Sequence, residues 1–110
     1  MSDRAKLARI KVVSQLVLDG RLNALERAAR VRQHSLDHLA ALARPVADSD
    51  LPLAVAGEVA MRYQGWADQR RAEINLILAR QTVEWAEARQ AAALAFGRNQ
   101  AVQSLIDRKR

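Results

Sequence analysis

His34 and His38 stand one helical turn apart with Asp37 beside them, a spacing that lets two imidazoles share a face and ligate a metal ion. A zinc site needs three or four such ligands. The chain has no cysteine and no third ligand nearby, so a solvated helix face is the expected role of this pair. Asp48 and Asp50 could serve as paired carboxylates for acid–base work, but Asp48-Ser49-Asp50 precedes an apolar helical pattern and reads as a supply of N-cap oxygens. Neither a glycine-rich phosphate loop nor a nucleophile elbow occurs. The sequence therefore predicts a protein that is not an enzyme and takes no metal or cofactor.

The chemistry that remains is charge. Residues 1–11 carry Arg4, Lys6, Arg9 and Lys11 against Asp3, a net +3, and residues 88–110 carry Arg89, Arg98, Arg108, Lys109 and Arg110 against Asp107, a net +4. Everything between sums to −1. Basic ends on a near-neutral body would be steered into an acidic surface. They could also neutralise phosphates, yet Phe96 is the only stacking aromatic there and no nucleic-acid motif is present, which weighs against nucleic acid.

Helices must position these charges. Residues 66–96 hold no Gly or Pro, and their apolar residues recur at three, four and seven, through Trp66, Ile74, Ile77, Leu78, Trp85, Ala88, Ala92 and Phe96. An earlier stripe runs through Leu18, Leu22, Leu25, Ala29, Arg32, Leu36, Leu39 and Ala43 in alternating fours and threes, a heptad seam, with a stutter expected near Gly20. Pro45 ends the first helix and Pro52 falls in the first turn of the second. The expected fold is all-α, two long helices in an antiparallel coiled-coil hairpin. Helix 1 spans about 3–43, the turn 44–50 and helix 2 about 51–108, with Gly97 a soft joint in a continuous helix. Alanine makes up about a fifth of the chain, against few aromatics, which favours long thin helices over a thick core. No apolar run is long enough to span a membrane, and the opening segment has no unbroken apolar stretch; a cytoplasmic location, or a peripheral one at the cytoplasmic face, is expected.

If the turn centres between residues 47 and 48, facing residues sum to about 95. Leu39 then meets Val55, Leu36 meets Val59, Leu22 meets Ile74 and Leu18 meets Ile77. Trp66 packs on Ala28 and Ala29, and Trp85 on Ala8, so both tryptophans read as packing residues. In this register residues 88–110 overhang, leaving Leu94, Phe96, Val102, Leu105 and Ile106 without an intramolecular partner. An uncovered apolar stripe among basic residues points to a partner protein or to self-association. The candidate contact residues are Arg4, Lys6, Arg9, Arg89, Leu94, Phe96, Arg98, Val102, Leu105 and Arg108.

Two long antiparallel helices with Arg-, Gln- and Ala-rich open ends, and the stretch RRAEINLILARQTVEWAEARQAAALAFGR over residues 70–98, resemble the flagellar export stalk proteins of the FliJ type and their injectisome counterparts of the YscO type. The chain is shorter than the flagellar members. The resemblance implies a stalk whose terminal helix ends enter the central pore of a hexameric export ATPase and also touch the export gate and empty chaperones. A basic coiled coil that binds nucleic acid or dimerises is the alternative.

Overall fold

The computed structural model describes residues 2–44 and 51–109. Among them are two helices, α1 (Asp3–Leu42) and α2 (Leu53–Arg108), and no strand. The chain is an all-α antiparallel hairpin with the second helix the longer, 56 residues against 40. Pro45 and the Asp48-Ser49-Asp50 capping cluster lie outside the described residues.

Both helix starts have local causes. Ser2 caps α1: its Oγ accepts from Ala5 N–H at 3.2 Å and its carbonyl from Lys6 N–H at 3.1 Å, satisfying donors that a helix N-terminus otherwise leaves open. Pro52 precedes α2, and its carbonyl accepts the first helical bond, from Ala56 N–H at 2.8 Å. Gly97 does not interrupt α2, and a Cβ built on it meets nothing within 4 Å.

Two compact units are resolved, each drawing on both helices: Met1–Arg30 with Val83–Arg110, and Val31–Thr82. In the first, the covered positions of α1 include Leu7, Lys11, Ser14, Leu18, Leu25 and Ala28, and those of α2 include Trp85, Ala88, Ala92, Ala95, Asn99, Val102 and Ile106. Both sets follow a heptad. In the second unit Arg32, Ser35, Leu39 and Leu42 are covered on α1, and Ile74, Leu78 and Gln81 on α2, again in fours and threes.

The register departs from the sequence-based one. In the first unit Asn99 bonds Lys11, Ser14 and Gln15, and Lys109 bonds Asp3 and Arg4; in the second Ser35 bonds Gln81 and Arg32 bonds Thr82. Facing positions thus sum to 110–114 in the first unit and 114–116 in the second, a displacement of fifteen to twenty-one residues from 95. Two physical reasons account for it. The seam of α1 contains polar members: Lys11, Ser14 and Ser35, which an apolar count skips, and Arg32, and all four need polar partners once covered. The connection between Leu42 and Leu53 has ten residues and a reach of roughly 33 Å, enough to let α2 slide by the roughly 28 Å that nineteen helical residues span.

Four corrections follow from this register. The stutter near Gly20 is absent, because Lys11 and Ser14 fill the heptad that apolar residues alone leave incomplete. Val55, Val59, Leu22 and Ile77, taken as seam residues, are 44–47% exposed. Trp66 is 56% exposed and is not core, whereas Trp85 is half-covered, level with Ala28 and not with Ala8. Most important, residues 88–110 do not overhang. They are zipped against the first turns of α1, and the turns of α2 with no turn of α1 opposite them are its leading ones, from Leu53 to about Trp66.

Since the chain has no cysteine, paired cysteines report the register cleanly. Ser35→Cys with Gln81→Cys is expected to close intramolecularly with a short bis-maleimide, and Leu22→Cys with Ile74→Cys is expected to stay open, both read by mass spectrometry under dilute conditions. Gly97→Ala, in a helix interior with open space around the new methyl, is expected to raise stability by about 0.5–1 kcal/mol in urea melts followed at 222 nm.

Candidate protein-docking surface

The first unit brings the basic ends together, by pairing and not by overhang. Arg4 donates from Nη2 to the carbonyl of Lys109 at 3.3 Å, and Lys109 Nζ lies 3.4 Å from Asp3 Oδ2. Inward of this, Asn99 is 7% exposed and sits at the centre of a polar layer. Its Oδ1 accepts from Lys11 Nζ at 2.5 Å and Ser14 Oγ at 3.3 Å, while its Nδ2 donates to Gln15 Oε1 at 2.9 Å. Asp3 is thus engaged by Lys109, and Asp107 accepts from Gln103 at 3.0 Å, so both carboxylates near the ends already have partners. The exposed surface left there is dominated by cations.

Each candidate contact residue has a definite place. Arg4, Lys6, Arg9, Arg98 and Arg108 are exposed. Arg89 is exposed and holds its guanidinium 5.6 Å from the Trp85 ring centroid, a cation–π contact along the helix. Leu94, Phe96 and Leu105 are 45–56% exposed, while Val102 is half-covered in the seam and belongs to the packing. By helical angle Leu94, Arg98, Leu105 and Arg108 share one face of α2, with Phe96 on another. The exposed apolar and basic members on α2 therefore lie on more than one face of that helix and not on a single stripe.

Sequence reasoning missed the larger apolar surface of this unit, which lies on α1. Ile10, Val12, Val13, Leu16 and Val17 are all 45–66% exposed. A signal for them existed. The segment IKVVSQLVL, residues 10–18, has six apolar residues in nine, whereas a two-helix seam takes only two positions per heptad. The excess must point outward. A helix apolar around most of its circumference is normally covered on more than one side.

His34 and His38 meet edge to face at 6.1 Å between ring centroids, and no group of three or more metal-ligating side chains exists among the described residues. No helix among the described residues is long and apolar enough to cross a membrane. No protein-family model, curated protein or solved structure matches the chain.

The exposed pair at the ends can be separated from stability. Lys109 and Asp3 are 52% and 73% exposed, so their bridge is worth little in water. Asp3→Ala with Lys109→Ala is expected to change urea stability by less than about 1 kcal/mol. Asn99→Ala, which strips the covered Lys11 of its Asn99 acceptor while Ser14 keeps the Lys11 carbonyl at 3.0 Å, is expected to cost about 1–3 kcal/mol in the same measurement.

Proposed function

We propose that this chain is a non-enzymatic stalk or adaptor that docks its paired basic helix ends into an acidic protein surface. The observation that carries the reading is the coincidence, in one unit, of surplus positive charge with exposed Ile10, Val12, Val13, Leu16 and Val17 on α1 and Leu94, Phe96 and Leu105 on α2. Charge steers the encounter, and burial of the apolar residues supplies the affinity. A nucleic-acid groove would use the cations but leave at least eight exposed apolar side chains without cover. A protein cavity uses both.

The resemblance to flagellar and injectisome export stalks gives the partner a concrete form: the pore of a hexameric export ATPase, with the export gate and empty chaperones as further contacts. The antiparallel hairpin and its charge asymmetry support that role. Loss of the overhang changes its details, since the inserted element is then a zipped pair of helix ends and not a single free helix. The apolar contacts shift accordingly from Val102 towards Val13 and Leu16.

Binding of the full chain to an export ATPase hexamer from a flagellar or injectisome system, measured by fluorescence anisotropy, tests this. The variant Arg4→Glu/Arg9→Glu/Arg108→Glu is expected to bind at least about tenfold more weakly and to lose most of the salt dependence. Leu16→Asp is expected to weaken binding while the salt slope persists. Equal or tighter binding to mixed-sequence DNA, abolished by the charge variant and untouched by Leu16→Asp, would refute the reading in favour of nucleic acid.

A further inference from the structure

The second unit holds an apolar surface that the docking reading leaves unused. The leading turns of α2 run past the level at which α1 ends, and there Leu53 is 92% exposed, Val55 44%, Val59 47%, Met61 78% and Trp66 56%. This segment is electrically unlike the basic ends. Over residues 53–66 the only charged side chains are Glu58 and Arg62, which pair with each other at 2.9 Å while remaining 64% and 80% exposed.

We infer that these turns are a self-association surface, on which the α2 leading turns of two copies of the chain pair antiparallel about a two-fold axis between Ala60 and Met61. An isologous contact must be complementary to itself, and this segment is. With facing residues summing to 120 or 121, Glu58 of each copy stands opposite Arg62 of the other, so each carboxylate gains a second guanidinium. Trp66 of each copy falls against Ala54 and Val55 of the other, large against small, and Val59 lies beside the aliphatic stem of Arg62. Val55, Val59, Arg62 and Trp66 recur at four, three and four, which places them on one face as a coiled-coil contact requires.

Leu53 and Met61 lie on other faces of α2, away from the Val55, Val59, Arg62 and Trp66 face, and stay outside this contact. Beside Trp66 a groove of about 380 Å³ is bounded by His38, Ala41 and Leu42 of α1 and Arg70 and Ile74 of α2. The groove lining has no carboxylate or lysine, and its polar members include His38 and Arg70. The basic ends, by contrast, repel their like, and a contact through the neutral turns avoids that repulsion.

An overlap of this length is smaller than a standard interface of about 800 Å² per partner, so association is expected at roughly 10–100 µM. Sedimentation equilibrium on the full chain, from low micromolar to about 500 µM, should move the mass from 12.2 kDa towards twice that value. Glu58→Arg and Arg62→Glu, each alone, place like charges across the axis and are expected to weaken self-association about tenfold. Mixing the two variants restores opposite charges at both sites and is expected to recover dimer to within about threefold of the parent. Val59→Asp is expected to be monomeric with unchanged ellipticity at 222 nm. A parent chain that stays monomeric to the highest concentration overturns the inference. So does a charge-variant mixture no tighter than its components, or a dimer dissolved by Arg4→Glu/Arg9→Glu/Arg108→Glu and indifferent to Val59→Asp. None of these outcomes depends on ATPase binding.

Discussion

The hairpin depends on the side-chain layer at Asn99. A covered amide satisfied by Lys11, Ser14 and Gln15 fixes which turn of α2 lies against which turn of α1. The apolar seam around it cannot do so. Ala88, Ala92 and Ala95 are small and nearly interchangeable, so sliding one helix past the other by a heptad would change the buried apolar area little. The same slide would set Lys11 and Asn99 against aliphatic side chains. Each covered polar group left without a partner costs about 1–3 kcal/mol, more when it is charged. Polar mismatch therefore discriminates between registers far more strongly than hydrophobic burial does. Asn or Lys within a coiled-coil seam trades stability for register in this way.

The second unit repeats the device with weaker groups. Ser35 Oγ is 2.6 Å from Gln81 Oε1, and Arg32 Nε donates to Thr82 Oγ1 at 3.1 Å, while Thr82 also donates to the Leu78 carbonyl at 2.8 Å. Ser35 is only 6% exposed, so its hydroxyl has to find a partner across the seam. Both polar layers agree on nearly the same register. That agreement commits Leu42 to the level of about residue 72, and the leading turns of α2 have no turn of α1 opposite them because of it.

Fold class was legible in the sequence because it rests on strong local signals: a long stretch of good helix formers, Ser2 before the first helix, and prolines between the two. Register was not. An apolar count placed Leu22 and Leu36 on the seam and passed over Ser14 and Ser35, because a serine carries no hydrophobic signal and its suitability for a seam depends on a Gln or Asn many residues away. The clustering of cations at the two helix ends was legible from charge alone, since their pairing needs only that the helices be antiparallel. Their apolar neighbours were found only in part. Leu94, Phe96 and Leu105 stood out on a sparse helix, whereas Val12, Val13, Leu16 and Val17 were hidden within a run that looked like ordinary core.

That run exposes a tension within the first unit. Five large aliphatic residues between positions 10 and 17 would ordinarily drive helices to cluster without selectivity. Here they lie between Arg4, Lys6 and Arg9 on their own helix and Arg98, Arg108 and Lys109 on the other. Two copies approaching through this surface would bring like charges together before much apolar area was covered, and the repulsion grows as water is excluded. A partner bearing carboxylates meets the opposite condition, because each step of burial strengthens the attraction. The cations thus act less as a source of affinity than as a filter on which apolar surfaces can reach the aliphatic residues beneath them. Near the neutral leading turns of α2 no such filter exists, and selectivity there has to come from geometry: one Glu58–Arg62 pair, one tryptophan, and the small residues placed to receive it.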